Sequence, residues 1–240
     1  MTYAPQPTSG EAMPDEASRS RRGWGCLLEI VETLVLTLVI YLLIHNFVAQ
    51  PFEVEQMSMS PTIAPGEYVL IDKITPRFDP YSRGDVVVFT PPPGYEQQGD
   101  IPFIKRIIAL PGETIRLENG RVFITPVGGV PTLLDESSYL RSRVDGGPVE
   151  TLPSGQGTTE WTVPEDSYFV MGDNRGSSQD SRVFGPIGED LILGRAWLRY
   201  FPLDRVGFMS APEYPNLRAG DEAGYLGGSS ATIQVSISRP

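Results

Sequence analysis

Hydrophobic and polar positions change rhythm once along this chain. Residues 27–48 are almost continuously apolar. As a helix rising about 1.5 Å per residue they would reach roughly 33 Å, enough for a hydrocarbon core of about 30 Å. The pattern predicts one membrane-spanning helix. Glu29 and Glu32 lie three apart on one face near its first end, within reach of headgroups or water. They confine the strictly apolar stretch to 33–44, so a buried soluble helix is the competing reading. A cleavable signal peptide is a further alternative. It is disfavoured by Phe47-Val48-Ala49-Gln50-Pro51, which puts a bulky ring where a small residue is wanted.

Beyond residue 50 the apolar runs are short and separated by turn formers. Strands are predicted at 67–73, 85–89, 103–109, 114–117, 122–124, 168–171 and 191–200. Ala64-Pro65-Gly66, Pro91-Pro92-Pro93-Gly94, Leu110-Pro111-Gly112 and Gly172-Asp173-Asn174 punctuate them, and Asn119-Gly120 between two apolar runs predicts a two-residue hairpin. Residues 126–163 are weaker in pattern and rich in Gly, Ser, Pro and Thr, as in a looped insertion. Residues 210–240 read as a flexible tail in which 233–237 could add an edge strand. The expected fold class is therefore mainly β, an all-β module behind a single amino-terminal helix.

Charge sets the direction of the predicted helix. Arg19, Arg21 and Arg22 precede it and the next Lys or Arg is Lys73, so the amino terminus should face the cytoplasm and the β module should lie outside it. The polar, Pro- and Ser-rich residues before the helix read as disordered. The chain has 19 basic and 30 acidic residues, a net charge of −11, and no basic stripe. That argues against nucleic acid as a partner.

The scarce residues narrow the chemistry. A single cysteine, Cys26, excludes an internal disulfide and a multi-cysteine metal site. The only histidine, His45, lies at the far end of the apolar run, so a Ser-His-Asp triad would have to form at the membrane surface. Lys73 and Lys105 are the only lysines.

Three segments stand out. In Phe103-Ile104-Lys105-Arg106-Ile107-Ile108 a lysine sits inside an apolar strand. Burial and a neighbouring cation both favour its neutral form, and a neutral amine is a competent general base. On local evidence the strand could equally turn Lys105 to solvent, its stem covering apolar surface. Met57-Ser58-Met59-Ser60-Pro61 follows the apolar segment closely; Pro61 biases Ser60 to an extended backbone and leaves Ser58 freer. Taken alone it is also readable as a solvated loop. The run 171–182 mixes acids, arginines and hydroxyls, which suits a solvated loop or a scaffold orienting a catalytic amine.

Taken in order, these segments resemble the type I signal peptidases. Ser58-Met59-Ser60-Pro61-Thr62-Ile63 is similar to that family's nucleophile motif and Arg83-Gly84-Asp85-Val86-Val87-Val88-Phe89 to the strand motif after it. Residues 104–113 resemble the general-base segment. Gly172-Asp173-Asn174-Arg175 with Asp180-Ser181-Arg182 resembles the last motif. The likeness spans roughly residues 50–200.

The resemblance implies a membrane-bound serine endopeptidase that removes signal peptides from exported preproteins after small residues, with no metal or organic cofactor. Ser58 would be the nucleophile and Lys105 the base. Ser178 would orient the lysine, with Asp180 and Arg182 as a supporting ion pair and Asp173 as a further supporting acid. Ser58 and Gln56 would form the oxyanion hole, Gln56 and Met57 standing where many relatives carry a hydroxyl residue and a glycine. Phe52, Val54, Met59 and Ile104 would line the substrate pockets. The partners implied are preproteins and the lipid bilayer of a bacterial-type cytoplasmic membrane. The domains implied are a cytoplasmic disordered segment 1–26, the membrane helix 27–48, a catalytic β core in two parts (50–113 and 164–209), a smaller inserted subdomain 114–163 and the tail 210–240. Two other readings remain: a Ser/Lys protease related to self-cleaving repressors, disfavoured by the apolar anchor and the lack of a DNA-binding region, and an anchored β-rich binding module without catalysis.

Overall fold

The structure, a computed structural model, describes residues 16–43, 49–95, 101–140, 147–154 and 157–217. The chain divides into two units, 1–47 and 48–240. In the first, α1 spans Glu16–Leu43. The disordered segment expected over 1–26 is thus helical from residue 16. Once the apolar stretch nucleates a helix, adding turns through Glu16, Ala17, Arg19, Arg21 and Arg22 costs little. Residues 28–42 are all exposed. Among the described residues no helix is long and apolar enough to cross a membrane. The apolar run expected to do so continues through 44–48, which with His45 lie outside the described residues, as do 1–15.

The second unit holds two antiparallel sheets. The larger orders its strands β1 (Ala49–Glu53), β2 (Tyr68–Asp72), β11 (Ile192–Phe201), β3 (Val86–Phe89), β4 (Phe103–Ala109), β9 (Ser167–Met171) and β10 (Ile187–Gly188), with β12 (Gly207–Phe208) beside β11. The smaller runs β7 (Thr132–Leu133), β6 (Arg121–Thr125), β5 (Thr114–Glu118), β8 (Glu160–Thr162). All seven strands predicted from the pattern form. β1 was not predicted because Pro51 interrupts it, and it sits at the sheet edge, where a missing N–H leaves no ladder bond unmade. The Asn119-Gly120 hairpin pairs Glu118 with Arg121, and both loop residues take positive φ as a two-residue turn requires.

β4 is the hub. All seven of its residues are buried. Ile104 joins a cluster with Val54, Met59, Ile63 and Val88; Phe103 and Ile107 join another with Val87, Phe89 and Val170; Ile108 and Ala109 reach a third with Ile115, Ile124 and Phe169. The third cluster joins the two sheets, and it also contains Tyr214 and Leu217. The tail expected from residue 210 is therefore packed through 217: Asn216 donates from Nδ2 to Leu133 O at 2.8 Å, and Tyr214 and Leu217 are buried in the core. Residues 218–240, including the strand envisaged at 233–237, lie outside the described residues.

Candidate active site

Ser58 is fixed from below and from one side. It sits in a single 3-10 turn, Met57–Met59, whose last residue is sealed into the core at 0% exposure. Ser60 N–H donates to Met57 O at 3.1 Å and Ile63 N–H to Met59 O at 2.9 Å, closing the loop on itself. Asn174 N–H donates to Ser58 O at 2.9 Å and Asn174 Nδ2 to Met57 O at 3.2 Å. The run after β9 therefore grips the turn through its backbone, which holds the Ser58 side chain without using it.

Lys105 meets it from the centre of β4, paired with Val87 on β3. Its Nζ donates to Ser58 Oγ at 2.7 Å and to Ile104 O at 2.9 Å. Lys105 is 1% exposed and Ser58 3%. Burial pushes the amine down from 10.5 to about 8, with the Asp180 carboxylate opposing part of the drop. At pH 7 about a tenth of such an amine is neutral, against roughly 0.03% at its ordinary value. The solvent-facing reading of this lysine is excluded.

The run 172–182 folds around a second set of charges. Asp180 caps the short helix α2 (Ser181–Phe184). Its carboxylate also accepts from Gly172 N–H at 3.1 Å and from Arg182 Nε and Nη2, each at 2.8 Å. Asp173 takes the fork of Arg106, Nε at 2.9 Å and Nη2 at 2.7 Å. Gly172 has no alternative: a Cβ there would lie 2.3 Å from Ser178 Oγ and 2.4 Å from Ser58 O. The hydrogen bond expected from Ser178 to Lys105 is not made. Ser178 Oγ is buried and unpaired, while the lysine spends its donors on Ser58 and on its own strand's Ile104.

Phe52, Val54, Gln56 and Ile104 line one small crevice together with Ile101 and Pro102. Met59 is sealed in the core cluster that also holds Val54 and Ile104, with Phe52 packed against it, and it does not line the crevice. Gln56 is half-buried at the residue preceding the turn, with extended backbone.

The profile of the family described as signal peptidase, peptidase S26, matches residues 27–201. The chain belongs to this family. Among the relatives of this signal peptidase family member, "Signal peptidase I" of Leptolyngbya laminosa is 35% identical over 214 residues, 87% of this chain and 96% of that protein. "Probable signal peptidase I-1" of Synechocystis sp. is 38% identical over 187 residues, 77% of this chain and 87% of that one. A crystal structure of a signal peptidase I from Enterococcus faecalis V583 shares 30% identity, covering 48% of this chain and 95% of that chain, at a TM-score of 0.35. The chain is thus a hydrolase of the signal peptidase I type.

Several residues of this family member's site were missed in the sequence. Arg106 was legible by the argument that singled out Lys105, a charge inside an apolar strand. Gly172 and Asn174 lay within the recognised run, but nothing marked their contacts to Ser58. Glu136 and Thr151, which both bind Arg175, carried no signal, since they meet it only through the fold.

Proposed function

We propose that this enzyme is a membrane-anchored serine endopeptidase that cleaves signal peptides from exported preproteins after small residues, with Ser58 as nucleophile and Lys105 as general base. The observation that carries the reading is the 2.7 Å hydrogen bond between a buried, partly neutral amine and a buried hydroxyl. Ser58 Oγ attacks the scissile carbonyl as its proton passes to Lys105 Nζ. The resulting ammonium gives that proton to the leaving amine, and a water deprotonated by the same lysine then hydrolyses the acyl-enzyme. The Ser58 backbone N–H and the Gln56 side-chain amide receive the oxyanion, a donor pair in which each member is worth roughly 3 to 4 kcal/mol.

The crevice of Phe52, Val54 and Ile104 is small, which suits selection by excluding large side chains near the cut. Asp180, Arg182 and Asp173 hold the loop that braces the serine, and Ser178 lies in that loop with a buried Oγ that makes no hydrogen bond. The exposed apolar side chains between Leu28 and Leu42 support an anchor in the cytoplasmic membrane, amino terminus inside and the β unit outside. In domain terms, 50–113 and 164–209 would form the catalytic core and 114–163 an insertion within it.

The test is cleavage of a preprotein carrying alanine one and three places before the cut, by the full chain in detergent. Ser58→Ala and Lys105→Ala should be inactive. Lys73→Ala should be active, because Lys73 Nζ is engaged with Gln50 Oε1 at 2.6 Å. Cleavage surviving in the Lys105 variant, or lost equally in the Lys73 variant, removes the dyad.

A further inference from the structure

We infer that Glu136, on the loop that follows β7, is a positioning residue for this reaction: it clamps Arg175, and through it the loop that holds Ser58. The inference rests on the Ser58/Lys105 reading. Arg175 is buried within the candidate site's own loop, yet Glu136 and Thr151, which its guanidinium binds outside that loop, lie outside the large sheet. Both Glu136 carboxylate oxygens accept from its guanidinium, one from Nη1 at 3.0 Å and the other from Nη2, while Nη1 also donates to Thr151 Oγ1. The remaining Nε donates back to Gly172 O at 3.1 Å. Gly172 is the residue whose N–H is held by Asp180 and where any Cβ would collide with Ser58 O and Ser178 Oγ. The Arg175 carbonyl in turn accepts from Arg182 Nη2 at 2.8 Å.

The same turn reaches the other arginine. Tyr139 Oη donates to Glu136 Oε1 at 2.8 Å, and the Arg106 guanidinium lies over the Tyr139 ring, 4.3 Å from its centroid. Arg106 neighbours Lys105 in β4 and holds Asp173. Residues 136–139 therefore touch both cations that fix 172–173, one by a fork and one by a ring face. Glu136 is 11% exposed at its side chain, so its charge is spent on this contact and not on solvent. A planar fork needs two anionic acceptors; an amide offers one oxygen and turns a second donor toward the guanidinium.

The experiment uses the full chain in detergent and reads kcat, KM and the unfolding midpoint separately. Glu136→Gln is expected to lower kcat roughly tenfold to a hundredfold, the scale of a small misplacement of reacting groups, with KM within about twofold. The double variant Glu136→Gln/Arg175→Met removes the unpaired buried cation. It should recover the unfolding midpoint while kcat stays low. A Glu136→Gln enzyme with unchanged kcat overturns the inference, and so does a double variant that recovers kcat together with its midpoint. Cleavage persisting in Ser58→Ala, assayed alongside, would mark failure of the nucleophile assignment instead.

Discussion

At the scale of the residue, Lys105 carries function at the expense of stability. Its amine titrates at about 8 when folded and at the ordinary 10.5 when unfolded. Between those values the unfolded chain holds a proton that the folded one has lost, so stability rises with pH through this window and the full penalty is present below 8. The displacement corresponds to about 3 kcal/mol. Lys105→Met should therefore be inactive yet more stable at pH 7, by about 1 kcal/mol once its lost hydrogen bonds are set against the relief. Urea unfolding checks this, and the advantage over the parent should shrink as pH approaches 10.5. Activity follows the same group: kcat/KM should climb with pH to a plateau with a midpoint near 8, read from a pH-rate profile in the full chain. A profile flat from pH 6 to 9 would remove Lys105 as the base.

At the scale of the element, the segment 210–217 does more than its sequence advertises. Pro212 packs so closely on Gly84 that a Cβ there would lie 2.7 Å from Pro212 Cδ. Tyr214 and Leu217 are sealed into the cluster shared by both sheets. Gly84 also presents its carbonyl to Arg106 Nη1 at 2.8 Å, so the strap backs the strand that bears the lysine. Leu217→Ala should cost about 2 kcal/mol in denaturant unfolding, the low end for a buried leucine at the edge of a core. Residue 217 was assigned to the tail because one Leu and one Tyr among Pro, Glu and Asn show no period. Packing onto an existing core needs no period. The strands with strong alternation or uninterrupted apolar runs were legible for the opposite reason, since their own pattern specifies which faces must be covered.

At the scale of the whole molecule, the site belongs to the second unit alone. Among the described residues, the hydrogen-bond partners of the Ser58 and Lys105 side chains and of Ser58 O fall between 58 and 174. A fragment of residues 49–240 should therefore keep its fold and cleave a short soluble peptide in detergent at a rate near that of the full chain. It should lose cosedimentation with phospholipid vesicles if α1 and the apolar residues after it are the anchor. The anchor would then act by raising the effective concentration of membrane-borne substrates, and its removal would slow cleavage of those substrates more than of soluble peptides.

The sequence by itself determined seven of the strands and the turns that punctuate them, and the order of its motifs, through their resemblance to the signal peptidases, raised the expectation that Ser58 pairs with Lys105. Those properties depend on residues close in the chain or on a motif order that survives without coordinates. Tertiary structure alone decided that Lys105 is sealed from water, that Met59 serves the core, that Ser178 leaves the lysine unbonded and that Glu136 reaches Arg175 across 39 residues. Burial and long-range hydrogen bonds depend on which surfaces finally meet, and no local pattern of hydrophobic and polar positions carries that information.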